Sequence, residues 1–389
     1  MTEQNYIFSK NANIKLQYQN FQASIEYNSV QGLKKLLCKH GPVMITMWAD
    51  NPIFKTRTIT TNILDCSDFD ANHADHAVLL VGYQQNDKGN FWIIQNSWDK
   101  NWGNHGLFAI TMNCGNISKY FQSYCLVESI SGEINYNDKY PDKTFDHNQL
   151  DSWTKQSQEF YDENLETGFS PPPVENSELD SFYANISQDK MVKTSNISCD
   201  SGPYSTNLDW SNPNMNPYGK VIICETDNQA YCGSCWLFAL TNMLQSSLSL
   251  NRLKLTNGEK TYNVPISKQY TANNMKNMKN PYINQKFVCN GGNSSMFKHL
   301  ILGGNFYLNG TYQKENGIGV IANELCKYMC QNGDVNCVQQ KCSKEVPTYK
   351  QKSEKIDDAK QVNLENIWEK YGVYIVILIV VIIVVIVSL

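Results

Sequence analysis

Cys232-Gly233-Ser234-Cys235-Trp236 puts a thiol at the head of an apolar stretch, with Gln229 six residues before Cys235. Far upstream, His76 opens the run HAVLLVGY, and Asn96-Ser97-Trp98 closes the run NFWIIQNSW. These residue types suit nucleophilic acyl transfer. A cysteine attacks a carbonyl only as thiolate, and a free thiol titrates near about 8.5. A helix beginning at Cys235 would help, because its unpaired N–H groups and positive dipole end favour an anion. An imidazole takes the thiol proton and returns it to a leaving amine, and His76 is the candidate. Asn96 would hold that ring from its far side, and Trp98 would cover the bond from water.

Other chemistries compete for the same residues. The chain has 13 cysteines, and most cysteines in such a chain are structural. If Cys235 alone is free, the other twelve suffice for six bridges, which points to an oxidising compartment. Cys232 and Cys235 have zinc or redox spacing, yet no second Cys or His pair stands nearby at ligand spacing. Cys326, Cys330, Cys337 and Cys342 form a weaker metal candidate, for which disulfides are the expectation. No metal or cofactor is expected. His73 reads as a loop residue, and His105, among glycines, as a surface residue. Gly291-Gly292 reads as a turn, since no phosphate-loop context surrounds it.

The elements that must position these groups fall into two blocks. Over 1–130, GLKKLLCKHGPV predicts a short helix stopped at Gly41-Pro42. HAVLLVGY and NFWIIQNSW predict a hairpin turning through QQNDKG. Residues 131–205 are rich in Asp, Asn, Ser and Tyr, carry Pro171-Pro172-Pro173, and read as a disordered linker. Residues 206–350 form a second unit, with a helix expected from Ser234 to Leu250 through Phe238, Leu240, Met243, Leu244 and Leu248. A net charge of −4 with scattered Lys and Arg offers no basic stripe for nucleic acid.

Both blocks resemble halves of the papain family of cysteine proteases, cathepsin-like, over roughly 25–130 and 206–345. The later block is similar to the family's N-terminal helical half through LDW (208–210), NQAYCGSCWLFAL (228–240) and CNGG (289–292). Cys-Gly-Ser-Cys-Trp is that family's signature around its nucleophile. The earlier block is similar to the C-terminal β-rich half through GPV (41–43), DHAVLLVGY (75–83), NSWDKNWGNHG (96–106) and CGNISKYFQSY (114–124). The resemblance implies an α+β, papain-like two-domain fold, with a helical domain carrying Cys235 and a β-barrel-like domain carrying His76 and Asn96. It makes the Gln229 amide and the Cys235 backbone N–H the oxyanion hole, and gives Trp98 and Trp236 supporting roles. It implies the disulfides Cys232–Cys289 and Cys66–Cys114. Ser267-Lys268-Gln269 resembles the family's Ser-Glu-Gln with Lys in the middle, and no propeptide signature is legible in 131–205.

The halves stand in reversed order, so the fold is expected to be permuted or split at the domain boundary. A linker of about 75 residues spans roughly 45–50 Å as a flexible coil, enough to join the ends across a small domain. LENIWEKYGV (364–373) echoes LKKLLCKHGPV (33–43), so 351–372 reads as the start of a second β-rich half. The tail Val373–Leu389 is an expected apolar helix, long enough at about 25 Å to anchor in a membrane. Sequons at Asn116, Asn185, Asn196, Asn293 and Asn309 fit a glycoprotein of a lysosome-like or secretory compartment. The N-terminus carries no export signal and reads as incomplete. Two functions follow. One is a cysteine-type peptidase acting on peptides or proteins through a thioester. The alternative is an inactive membrane-anchored binding or surface protein, or a fusion of two protease gene fragments.

Overall fold

The computed structural model describes residues 16–20, 30–49, 54, 63–65, 74–112, 121–125, 167–168, 202–262, 264–281, 288–309, 311–329, 342 and 354–355. The first described element is β1 (Leu16–Asn20), followed by α1 (Val30–His40). Leu33, Leu36 and Leu37 share one face of α1 and are buried, as the 3.6-residue period requires. The helix stops at Gly41, whose φ of 86° lets its amide reach the Leu37 carbonyl at 3.0 Å. That is a left-handed cap a side chain would disfavour. Pro42 then bars a further turn.

Next come β2 (Val43–Met47), β3 (Ile63–Leu64), β4 (His76–Asn86), β5 (Gly89–Gln95), β6 (Leu107–Thr111) and β7 (Phe121–Cys125). They form one sheet in the order β1-β7-β2-β4-β5-β6-β3, antiparallel except where β3 runs parallel to β6. The β4–β5 hairpin is tighter than the sequence predicts. Its ladder runs on through Gln84, Gln85 and Asn86 to Gly89, leaving Asp87-Lys88 as the turn. Asn86 makes this possible by accepting the Lys88 amide on its side chain at 2.9 Å, a local mimic of a backbone turn.

The later block begins with a 3-10 turn at Pro203–Ser205 and β8 (Leu208–Asp209), with a second turn at Pro213–Met215. Its helices are α2 (Cys235–Leu255), α3 (Lys268–Met275) and α4 (Ser294–Leu302), and β9 (Gly303–Leu308), β10 (Thr311–Asn316) and β11 (Glu354–Lys355) close it as a small antiparallel sheet. The architecture is α+β. Helix α2 outruns the expected end at Leu250 because nearly every residue to Leu253 is buried. Its buried serines stay satisfied: Ser246 returns a hydrogen bond to the Asn242 carbonyl at 2.9 Å and Ser249 donates to the Tyr262 carbonyl at 2.5 Å.

The two blocks share a core. Val43, Leu80 and Ile94 from the first belong to the same buried cluster as Trp210, Leu237 and Leu244 from the second. Strand β8 pairs with β4, Gly82 opposite Asp209 and Tyr83 opposite Leu208. Trp210 then donates from its indole to the Leu37 carbonyl at 3.1 Å. Among the described residues no helix is long and apolar enough to cross a membrane. Val373–Leu389, the repeat-like segment 364–373 and nearly all of 131–205 lie outside the described residues.

Candidate active site

His76 is the first residue of β4, and the antiparallel register that sets Leu79 opposite Gln95 brings the end of β5 alongside it. Asn96 follows β5 directly. Its Oδ1 accepts the Ser97 amide at 2.8 Å and lies 2.8 Å from His76 Nε2. An oxygen already accepting from a backbone N–H is fixed as the acceptor, so Nε2 carries the ring proton. That leaves Nδ1, buried and without a hydrogen-bond partner, as the basic atom of the ring. Trp98 stacks on the imidazole at 4.9 Å between centroids, and Phe54 lies 6.2 Å from it. The His76–Asn96 bond is thereby closed to water on the Trp98 side.

Cys235 is the first residue of α2, one later than the expected start, because Ser234 occupies the cap position. The preceding loop is pinned by the Cys232–Cys289 disulfide and by a parallel bridge between Gly233 and Asn290. Trp236 packs so closely on Gly292 that a Cβ there would meet its Cε2 at 2.5 Å. The Cys235 sulfur accepts the backbone amide of Ala77, the residue after His76, at 3.3 Å. Residues far apart in the sequence thus meet at one point, between the start of β4 and the start of α2.

Gln229 joins the same place. Its backbone amide donates to the Ser97 carbonyl at 2.8 Å, its Oε1 accepts from Ser97 Oγ at 2.5 Å, and its Nε2 donates to the Cys232 carbonyl at 2.9 Å. Gln229 therefore ties the Asn96 loop to the Cys235 loop. Tyr328, which no sequence pattern singled out, bonds Ser234 Oγ at 2.9 Å and the Gln229 carbonyl at 3.4 Å. Lys268 is fully buried and pairs with Asp227 at 2.5 Å, which accounts for a lysine where the resemblance implies glutamate.

The electrostatics are those of a closed site. Cys235 and His76 are both 0% exposed. Burial pushes the Cys235 thiol up to about 12, against smaller opposing contributions from the Ala77, Gly168 and Trp236 amides. Burial also pulls His76 down to about 4, with the Asn96 bond working the other way. Burial here works against the thiolate expected from the helix N-terminus. Desolvation disfavours both charged forms, the thiolate and the imidazolium alike.

The other candidates separate cleanly. His105 is exposed in a turn with φ 57°, and no metal-binding cluster exists among the described residues. Cys326 is bonded to Cys342. Cys224 is free and buried like Cys235, so six bridges are out of reach. Cys66, Cys114, His73, Cys330 and Cys337 lie outside the described residues.

A family described as "Papain family cysteine protease" matches residues 2–127, a stretch that holds His76 and Asn96. Cysteine proteinase 3 of Entamoeba histolytica is 34% identical over 89 residues, 23% of this chain and 29% of that protein. A viral cathepsin of Spodoptera litura multicapsid nucleopolyhedrovirus is 36% identical over 98 residues, 24% of this chain and 27% of that protein. Mouse cathepsin K is 28% identical over 92 residues, 24% of this chain and 27% of that protein. The chain spans less than a third of the length of these relatives.

Proposed function

We propose that this chain, which is similar to papain family cysteine proteases over residues 2–127, is a thiol peptidase hydrolysing peptide bonds in peptides or proteins. Cys235 is the nucleophile, His76 the acid and base, Asn96 the group that orients the imidazole. The observation that carries this reading is the Cys235 sulfur lying 3.3 Å from the amide adjoining His76, in a chain where the two residues are remote. The permuted arrangement belongs to the same proposal: the earlier half docks on the later one and completes the cleft.

His76 Nδ1, the ring atom without a proton, takes the Cys235 proton. The thiolate then adds to the substrate carbonyl carbon. The oxyanion that forms is received by the Cys235 backbone N–H, at the positive end of α2, and by the Gln229 amide. Preorganised donors of this kind cost no reorganisation at the moment of reaction. The imidazolium gives its proton to the departing amine, leaving a thioester on Cys235. Water, deprotonated by His76, hydrolyses the thioester and restores the thiol. The Cys232–Cys289 and Cys326–Cys342 disulfides support a lysosome-like or secretory setting.

Peptide hydrolysis by the purified chain tests the reading. Cys235→Ala should abolish turnover, and His76→Ala should lower it by roughly 10²–10⁴. Turnover that survives Cys235→Ala would contradict it.

A further inference from the structure

One tyrosine reaches the site without a part in the mechanism above. Tyr328 stands 94 residues beyond Ser234, in the segment that follows the short turn Asn323–Leu325. That segment is fastened on both sides of the ring. Before it, Cys326 is joined to Cys342, and the Cys326 carbonyl accepts the Ser267 hydroxyl at 2.6 Å. After it, the Met329 amide donates to the Gln269 side chain at 2.7 Å. Ser267 caps α3 and Gln269 lies in its first turn, so the start of α3 sets where Tyr328 stands. The ring meets Phe238 of α2 edge-on, 4.9 Å between centroids, and the hydroxyl reaches past it.

The partners of that hydroxyl are the residues tied to both oxyanion donors of the peptidase reading. The phenol donates to the Gln229 carbonyl at 3.4 Å and lies 2.9 Å from Ser234 Oγ. Gln229 owns one donor, its side-chain amide. Ser234 owns the carbonyl of the peptide plane whose N–H belongs to Cys235, the other donor. That carbonyl accepts the Leu237 and Phe238 amides at 2.9 and 3.2 Å, so α2 holds the plane from one side. Tyr328 holds it from the other, through the buried Ser234 side chain. Ser234 occupies the cap position of α2, yet its side chain makes no capping bond. A serine there ordinarily gives its oxygen to a first-turn amide; here Tyr328 has taken it.

We propose that Tyr328 is a positioning residue for acyl transfer: its hydroxyl bridges Gln229 and Ser234, and so fixes the spacing between the Gln229 amide and the Cys235 N–H. This rests on the peptidase reading. Misplacement by about 1 Å can cost on the order of 10² in rate, so two donors from different residues gain from a common fixture. Burial raises the phenol above its usual 10.0, against the Ser234 bond, and the bridging proton is therefore not lost to titration near neutrality.

Steady-state kinetics of the full chain on a peptide substrate test it, with active sites counted by an epoxysuccinyl titrant. Tyr328→Phe keeps the ring against Phe238 and removes the hydroxyl alone. Its kcat per active site should fall roughly two- to tenfold, the weight of one hydrogen bond, with KM little changed. Ser234→Ala cuts the bridge at its other end and should show the same split. Tyr328→Phe combined with Ser234→Ala should lose no more than the larger of the two single losses. In a Gln229→Ala chain, where one positioned donor is gone, Tyr328→Phe should cost less than in wild type. An unchanged kcat in both single variants, a loss confined to KM or to the number of active sites, or losses that multiply in full in each combination overturns the positioning role and leaves the peptidase reading standing. A wild-type chain whose hydrolysis does not need Cys235 overturns both.

Discussion

The backbone amide of Ala77 lies 3.3 Å from the sulfur of Cys235, across 158 residues of chain. Ala77 sits in β4 immediately after His76, and Cys235 opens α2, so this contact joins the two blocks at the candidate site. What flanks it on either side, the Asn96 bond and the Gln229 network, determines what happens when either is removed.

Replacing Asn96 with Ala deletes the acceptor that sets the proton on His76 Nε2. A hydrogen bond of this kind contributes about 0.5–1.5 kcal/mol, which corresponds to roughly two- to tenfold in rate. Turnover by Asn96→Ala should fall by at least that much with KM little changed. Steady-state kinetics on a peptide substrate check it, and an unchanged kcat removes Asn96 from the orienting role.

Gln229→Ala should lower kcat by roughly 10²–10³ if the amide receives the oxyanion. The same change cuts the bonds to Ser97 and Cys232, so the melting temperature should drop too. Gln229→Glu keeps an acceptor for Ser97 but loses the amide donor, and should separate the two effects: partial recovery of stability, no recovery of kcat.

The seam between the blocks runs through Gly82. A Cβ there would approach the Leu208 carbonyl to 2.6 Å and the Asp209 Cα to 2.9 Å, so Gly82→Ala must push β8 off β4. Overpacking of this sort costs about 1–3 kcal/mol, a few degrees in the melting temperature at this size. A melt at the wild-type temperature would mean that β8 does not hold the blocks together.

Asp209, opposite Gly82 in that seam, gives the joint a pH dependence. Burial raises its carboxyl from 3.8 to about 6, against the bonds it accepts from Ser211. The folded state binds this proton more tightly than the unfolded state, so the contribution is greatest below about pH 4. It falls as pH rises through the window from 3.8 to about 6 and is level above it. The difference amounts to about 3 kcal/mol. Urea melts of wild type and Asp209→Asn should diverge across that window, wild type losing stability toward pH 6 relative to the variant. Parallel curves would contradict a buried, protonatable Asp209.

The candidate residues that the structure brings together were legible because their types and neighbours leave few uses: a cysteine before an apolar helix, a histidine heading a strand, an asparagine after one. The hairpin and α1 were legible from period and stop signals, Leu33-Leu36-Leu37 and Gly41-Pro42. What escaped was decided by contacts between distant segments. The end of α2 is set by burial against other elements, so the run of serines after Met243 gave no sign of it. The burial of Cys235 and His76 is a property of packing. Gly168 carries no signal at all, since one glycine in a polar stretch reads as a turn until its neighbours are known.

The central claim is that one cleft unites Cys235 with His76, and mapping a covalent adduct tests it most directly. Wild type and His76→Ala are treated with an epoxysuccinyl inhibitor, digested, and the modified cysteine located by mass spectrometry. The expected result is modification at Cys235 in wild type and markedly slower modification in His76→Ala. Modification of Cys235 at a rate indifferent to His76, or a folded wild-type chain that stays unmodified at Cys235, would contradict it.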